Sequence, residues 1–186
     1  MKTVSIYDLT SAPKASKPLL EKSVKDFGMV PNLHGVMAGA PALLEAYQTL
    51  HALFMSTSFD DEERTVVWQT INVEHDCHYC VPAHTAIAHS MDVDAHLTDA
   101  LRHQASMPTE KLQVLHDTTL KIVRKRGVLA KNELNTFFAA GYGEQQLLEI
   151  ILGVSQKVMS NYVNHIAQTP IDTPFSAFAW EKASVD

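Results

Sequence analysis

Apolar residues recur along this chain at intervals of three and four positions, the spacing of one face of an α-helix. One such run comprises Leu44, Tyr47, Leu50 and Phe54, and a second begins at Leu112 and continues until Gly127. No stretch of useful length alternates apolar and polar residues as a half-buried strand would. The pattern therefore predicts an all-α fold.

Glycine and proline separate these runs and indicate where the helices end. The pattern predicts nine helices, at about 18–27, 32–38, 41–54, 60–74, 79–90, 92–103, 109–126, 131–140 and 144–167. Residues 1–17 are expected to form an N-terminal arm, with a short extended piece near residues 4–6. Residues 170–186 are expected to form a C-terminal tail, whose aromatic rings the body of the domain or a neighbouring subunit must cover. We thus predict one helical domain over residues 1–186, with about seven to nine helices.

Composition and charge narrow the class of protein. Of 186 residues, 46% are hydrophobic, which suits a folded domain with a core. Fifteen Lys and Arg against 21 Asp and Glu give a net charge of −6, which argues against nucleic acid or an anionic membrane as a partner. No apolar run approaches the roughly 20 residues of a membrane span, and the first residues lack the apolar stretch of a secretion signal. We expect a cytoplasmic protein.

Candidate chemistry is concentrated in the segment 73–84, which carries the pattern C-x2-C-x3-H at Cys77, Cys80 and His84. At 100° per residue, these three positions would share an arc of about 60° on one helix face. Pro82 is best tolerated in a first helical turn, so the helix should begin just before it. Cys80 would then lie where free N–H groups and the helix dipole stabilise a thiolate, and His84 could exchange a proton with that sulfur.

Three interpretations of the cysteine pair remain open at this point. A thiolate with a second thiol three residues away suits peroxide reduction or thiol–disulfide exchange. Two cysteines on one helix face can also be buried small apolar residues. Zinc is the weaker alternative, because a structural site usually draws a second ligand pair from a distant segment. We predict neither a metal nor another cofactor.

The same residues closely resemble the carboxymuconolactone decarboxylase superfamily, specifically its branch similar to the alkylhydroperoxidase AhpD. That branch carries C-x2-C-x3-H, commonly with the residues found here at Tyr79 and Ala83. The resemblance extends to upstream segments and covers about residues 27–170. These segments are 28–33 (GMVPNL), 41–47 (PALLEAY) and the acidic helix start 59–64 (FDDEER).

The resemblance implies an all-helical subunit that assembles into trimers, hexamers or related homo-oligomers. It implies a thiol-dependent peroxidase for hydrogen peroxide or organic hydroperoxides, serving antioxidant defence. Cys80 would attack, Cys77 would resolve and His84 would serve a proton relay. An external dithiol, such as a lipoyl-bearing or thioredoxin-like protein, would reduce the disulfide. Two alternatives stay open: a dithiol–disulfide oxidoreductase or redox sensor without significant peroxidase turnover, and a helical oligomer without redox chemistry.

The sequence departs from the family pattern at the relay glutamate. The family places it twelve positions before the first cysteine, which is Thr65 here, and a threonine is no base at pH 7. We predict that Glu74, just before the turn that precedes Cys77, is its substitute. The alternative for Glu74 is a solvated carboxylate or a salt-bridge partner at a helix end.

Overall fold

The computed structural model describes residues 4–182, which form nine α-helices and two short 3-10 helices. The α-helices are α1 (Lys17–Phe27), α2 (Asn32–Met37), α3 (Pro41–Met55), α4 (Asp61–Glu74), α5 (Cys80–Ser90), α6 (Ala95–His103), α7 (Glu110–Lys125), α8 (Lys131–Ala139) and α9 (Glu144–Ala167). The 3-10 helices are Lys14–Ser16 and Thr173–Phe178. No strand occurs between residues 4 and 182, so the predicted all-α class is confirmed. Residues 4–6, which were expected to be extended, do not pair with another segment as a strand.

Helix α4 forms the centre of the bundle. Its start is fixed by a capping box, in which the Glu63 N–H donates to the Asp60 carboxylate over 2.8 Å and the Asp60 N–H donates to the Glu63 carboxylate over 3.2 Å. The nine residues 65–73 are all buried. Helices α5, α6, α7 and α9 pack around it, which places any polar side chain of those buried faces inside the molecule.

Helix α9 approaches α3 and α4 closely at Gly153. A Cβ atom there would lie 2.8 Å from a ring carbon of Phe54 and 2.9 Å from a methyl carbon of Val67. The missing side chain lets the middle of α9 lie directly against the core, and the polar residues that follow Gly153 along this face are carried inside with it.

The C-terminal tail folds back onto α5. Trp180 packs against Val73 and Val81, and its indole N–H donates to the carbonyl oxygen of Arg102 over 2.9 Å. Phe175 is half-buried against the N-terminal half of the core. The body of the same subunit therefore covers much of this aromatic tail up to residue 182. Of the predicted arm and tail, residues 1–3 and 183–186 lie outside the described part.

Among the helices of residues 4–182, none combines the length and the apolar character that a membrane crossing needs.

Candidate active site

The cysteine pair lies at the junction between α4 and α5. The Cys77 N–H donates to the carbonyl oxygen of Asn72 over 3.0 Å, and the left-handed backbone at Asp76 (φ 53°) turns the chain between the two helices. Helix α5 begins at Cys80, two residues before Pro82, as predicted. The Cys80 N–H donates to the Cys77 sulfur over 3.3 Å, so a free N–H of the first turn faces a sulfur atom. Both cysteines are free thiols and are buried, with exposed fractions of 0% and 2%.

Helix α9 supplies polar groups to the sulfur atoms. The Asn164 amide nitrogen lies 3.2 Å from Cys80 Sγ and 3.9 Å from Cys77 Sγ. The Ser160 hydroxyl donates to the carbonyl oxygen of Lys157 over 3.2 Å, and it lies near enough to Cys80 to lower the pKa of that thiol. Both side chains are fully buried, so they can act on the sulfur without competition from water.

These contacts separate the pKa values of the two thiols. Burial raises the pKa of Cys80, but a hydrogen bond from Cys77, the charge of Lys157 and hydrogen bonds from Ser160 and Asn164 outweigh it and lower the pKa to about 6. The pKa of Cys77 is raised by its hydrogen bond to Cys80 and by burial. At neutral pH, Cys80 is therefore the thiolate and Cys77 the thiol that donates to it.

Lys157 is a functional candidate that the sequence analysis missed. It is fully buried in the middle of α9, its Nζ donates to His84 Nε2, and it lies over the Trp68 ring at 5.5 Å from the centroid. Burial lowers the pKa of Lys157 to about 8, although the negative charge of Cys80 opposes this shift. A signal was present in the sequence, because polar residues recur at helical spacing along one face of α9. That face comprises Gln156, Lys157, Ser160, Asn161 and Asn164.

His84 lies one turn after Cys80, but its hydrogen bond is to Lys157. Because an ammonium can only donate, His84 Nε2 accepts and the imidazole proton resides on Nδ1. His84 Nδ1 is buried and has no hydrogen-bond partner among the described side chains and backbone. Burial, with the charges of Lys157 and His51, holds the pKa of His84 well below its ordinary value, so the ring is neutral. In residues 4–182 no hydrogen bond joins His84 to either sulfur atom, so the direct proton exchange with Cys80 stays a prediction.

Glu74 and Thr65 make contacts away from the sulfur atoms. The Glu74 carboxylate accepts two hydrogen bonds of 2.8 Å from Arg124, and this guanidinium lowers the pKa of Glu74. The Thr65 hydroxyl donates to the carbonyl oxygen of Asp61 over 2.7 Å, within its own helix. The geometry gives Glu74 the salt-bridge role that the sequence analysis held as its alternative, and its relay role stays an untested prediction.

Cys80 and His84 form part of the wall of a cavity of about 450 Å³. The rest of the wall is mostly aromatic and apolar, and it includes Phe27, Met29, His34, Tyr47, His51, Tyr79, Ile87 and Phe175. Burial is the main cause that lowers the pKa of His34 and of His51 to about 4, so both imidazoles are neutral at pH 7. The thiolate thus borders a space suited to a small molecule with an apolar body. Among the described residues, no group of three or more His, Cys, Asp or Glu side chains is placed to hold a metal ion.

Comparison with known proteins gives structural matches only. No family model matches the chain, and no curated protein matches it. Its fold is similar to the AhpD core of an uncharacterized peroxidase-related protein from Ralstonia eutropha JMP134, with a TM-score of 0.81 and 18% identity over 94% of this chain and 96% of that one. An uncharacterized peroxidase-related protein from Silicibacter sp. TM1040 matches with a TM-score of 0.78 and 19% identity over 94% and 95% of the two chains.

A third structure, a single-residue variant of the debrominase Bmp8 in complex with 2,3,4-tribromopyrrole, matches with a TM-score of 0.75 and 17% identity over 95% of each chain. These matches span almost the whole chain and confirm the predicted AhpD-like fold. At this level of identity they establish the architecture alone.

Proposed function

On the premise of an AhpD-like fold that holds Cys77 and Cys80 in hydrogen-bond contact, we propose that this protein is a thiol-dependent peroxidase. The observation that carries the proposal is the position of Cys80 in the cavity wall, where Asn164 donates to its sulfur and the Cys80 N–H donates to the Cys77 sulfur. The lowered pKa of Cys80 supports it. A buried thiolate beside a thiol is the arrangement needed to attack a peroxide and then to resolve the product.

The proposed cycle has three steps. The Cys80 thiolate attacks the terminal peroxide oxygen; the S–O bond forms, the O–O bond breaks, and the alkoxide or hydroxide leaves with a proton as alcohol or water. The Cys77 sulfur then attacks the Cys80 sulfenic acid; the S–S bond forms, and the sulfenic hydroxyl leaves as water with the Cys77 proton. An external dithiol supplies two electrons and two protons to restore both thiols.

The cavity favours an organic hydroperoxide over hydrogen peroxide. Its aromatic and apolar wall can bury a carbon body that hydrogen peroxide lacks. The half-buried ring of Phe175, from the tail, contributes to this wall. We therefore propose organic hydroperoxides as the preferred substrates and hydrogen peroxide as a poorer one.

Thiol titration after rapid mixing tests the proposal. The pre-reduced protein is mixed with one equivalent of cumene hydroperoxide or of hydrogen peroxide, and free thiols are counted over seconds, with Cys80→Ser as the matched variant. We expect both thiols to disappear in the wild type, faster with cumene hydroperoxide, and the thiol of Cys80→Ser to persist. If both wild-type thiols survive excess peroxide yet exchange with small disulfides, the protein is a dithiol–disulfide oxidoreductase and the peroxidase proposal is wrong.

A second candidate is reductive debromination of a small halogenated aromatic. It is favoured by the likeness to the fold of a debrominase whose structure holds 2,3,4-tribromopyrrole, together with the aromatic cavity beside Cys80. The test is bromide release from that compound by the reduced protein, with Cys80→Ser as control. The second candidate replaces the first if one bromide is released per Cys77–Cys80 disulfide formed and if peroxides oxidise the thiols no faster than this compound does.

The proposed partners are an external dithiol protein and further copies of this chain. Helix α9 exposes large apolar side chains that a neighbouring subunit would cover, namely Leu148, Ile151, Tyr162 and Ile166. We propose a homo-oligomer, and a monomer at micromolar concentration in analytical ultracentrifugation would contradict it. The two free thiols suit a reducing compartment, and we propose a cytoplasmic location.

A further inference from the structure

Lys157 is a fully buried cation that forms no salt bridge with a carboxylate in the described residues. Its Nζ donates to His84 and faces the Trp68 ring, and the opposite charge that acts on it is that of Cys80. An isolated ammonium in a protein interior is strongly unfavourable unless an anion compensates it. The Cys80 thiolate is the available anion.

The other titratable groups that face this pair are neutral at pH 7. Helix α5 contributes His84, and α3 contributes His51 and Tyr47. The turn before α5 contributes Tyr79 and Cys77, and the pKa values of both are raised, so both stay protonated. Burial, above all other causes, holds the pKa of each imidazole below neutrality and raises the pKa of the Tyr47 phenol. In the reduced protein, the buried site therefore holds one positive charge, on Lys157, and one negative charge, on Cys80.

Oxidation removes the negative charge. When Cys80 becomes a sulfenic acid or a disulfide, a protonated Lys157 would be left without an anion in a fully buried position. An ordinary buried lysine in that situation loses its proton. The neighbouring His84 offers a route for that proton, since Nε2 accepts from Lys157 and the buried Nδ1–H has no partner of its own in the described part of the chain.

We propose that Lys157 and Cys80 act as a proton-coupled redox pair, in which oxidation of Cys80 releases the Lys157 proton through His84, so that the buried site stays electrically neutral. Lys157 is thus a positioning residue that ionises Cys80 and supplies the proton of the leaving group. The inference rests on the dithiol–disulfide chemistry of the proposed function, and it does not require a peroxide as the oxidant.

The atoms and charges balance for a hydroperoxide. The thiolate takes the terminal OH, the O–O bond breaks, and the alkoxide accepts one proton, which Lys157 supplies by way of His84. The products are the Cys80 sulfenic acid, an alcohol and a neutral Lys157 amine. When an external dithiol later reduces the disulfide, its two protons restore the Cys77 thiol and the Lys157 ammonium, and Cys80 returns as a thiolate.

A proton count on the wild-type protein tests the proposal. The protein is equilibrated with glutathione and glutathione disulfide between pH 6.5 and 7.5, where glutathione is a protonated thiol. We measure the equilibrium constant for reduction of the protein disulfide by two molecules of glutathione, together with the ultraviolet absorbance of the thiolate. We expect a thiolate at pH 7 and a reduction constant that changes less than twofold, because protein and glutathione both take up two protons per two electrons. If the thiolate is present and this reduction constant rises tenfold over the range, Lys157 keeps its proton when Cys80 is oxidised. If no thiolate is present at pH 7, there is no ion pair. Either result overturns the proposal.

Lys157→Met gives a second, independent readout. Methionine has a similar length and no charge, so we expect the thiolate absorbance at pH 7 to disappear and alkylation by iodoacetamide to slow at least tenfold. Lys131→Met, at an exposed position at the start of α8, is the matched control and should change neither quantity. A Lys157→Met protein that keeps its thiolate at pH 7 would contradict the pair. Should that variant not fold, the wild-type proton count still decides, and it does so even if peroxide turnover is absent.

Discussion

Asn164→Leu isolates the contribution of one hydrogen bond to the ionisation of Cys80. The Asn164 amide nitrogen lies 3.2 Å from Cys80 Sγ, and both side chains are buried. A hydrogen bond to a charged group contributes about 1.5–3 kcal/mol, and 1.36 kcal/mol corresponds to one pKa unit. Loss of this bond should therefore raise the pKa of Cys80 by roughly 1–2 units.

Leucine is a suitable replacement because it has almost the shape of asparagine. The Asn164 carbonyl oxygen is buried without a hydrogen-bond partner among residues 4–182, so the substitution removes an unsatisfied acceptor together with the donor. Replacing a polar group by an apolar one of the same shape is often close to neutral for folding. The variant should fold and report on the sulfur.

The assay is the ultraviolet absorbance of the thiolate against pH, supported by the rate of alkylation with iodoacetamide at pH 7. With a pKa of about 6, roughly nine-tenths of Cys80 is ionised at pH 7 in the wild type. In Asn164→Leu, the ionised fraction should fall to between about one half and one tenth, with a matching loss of alkylation rate.

Asn161→Leu is the matched control on the same helix. Asn161 donates to Asn72 over 3.0 Å and forms a hydrogen bond of 2.8 Å with His75, and in residues 4–182 no hydrogen bond joins it to either sulfur. We expect that control to lower the free energy of unfolding while the pKa of Cys80 stays where it is. An unchanged Cys80 pKa in Asn164→Leu, or an equal shift in both variants, would refute the assignment of Asn164 as a thiolate donor.

Three further predictions concern acid stability, packing and the relay. The folded-state pKa of His34, about 4, lies below the unfolded value near 6.5, so its contribution to the free energy of unfolding is complete above pH 6.5 and is lost as pH falls towards 4. In urea unfolding, the stability advantage of wild type over His34→Gln should shrink by about 3 kcal/mol across that window, and a constant difference would contradict this. Gly153→Ala should lower the free energy of unfolding by about 1 kcal/mol, because the clash with Phe54 exceeds the gain in helix propensity; a more stable variant would show that the core relaxes freely. Glu74→Gln tests the relay role that the sequence predicts for Glu74. Because Arg124 holds this carboxylate in a partly exposed pair worth at most about 1 kcal/mol, we expect the rate of peroxide-driven disulfide formation to stay within about twofold. A tenfold loss would support the relay role.

The local features of the fold could be predicted from the sequence. Pro82 and the acidic residues at the start of α4 act on their own helix starts, so spacing and capping rules placed both starts within one residue of those observed, at Cys80 for α5 and Asp61 for α4. The assignment of Cys80 as the candidate nucleophile rested on this local argument and on the family resemblance, and the low pKa of its thiol is consistent with it.

The contacts from α9 could not be predicted in this way. Asn164 is 84 positions from Cys80 and Lys157 is 73 positions from His84, so neither pair leaves a trace in local spacing. What faces the cysteines depends on how α9 packs on α4, which Gly153 permits. Thr65 stands where the family has its relay glutamate, and the sequence therefore predicted a nearby carboxylate, Glu74, as the substitute. The buried charge beside the site is instead a cation, Lys157, from a distant helix. A polar face on a long helix is usually solvated, and only tertiary packing showed that this one is internal.

The central claim is that Cys80 is the buried thiolate that attacks and Cys77 the thiol that resolves. The most direct measurement is mass spectrometry after a sulfenic-acid trap, applied to pre-reduced Cys77→Ser and Cys80→Ser mixed with one equivalent of cumene hydroperoxide. We predict a trapped adduct on Cys80 in Cys77→Ser and none in Cys80→Ser. An adduct on Cys77 in Cys80→Ser, with none in Cys77→Ser, would reverse the two roles and contradict the account.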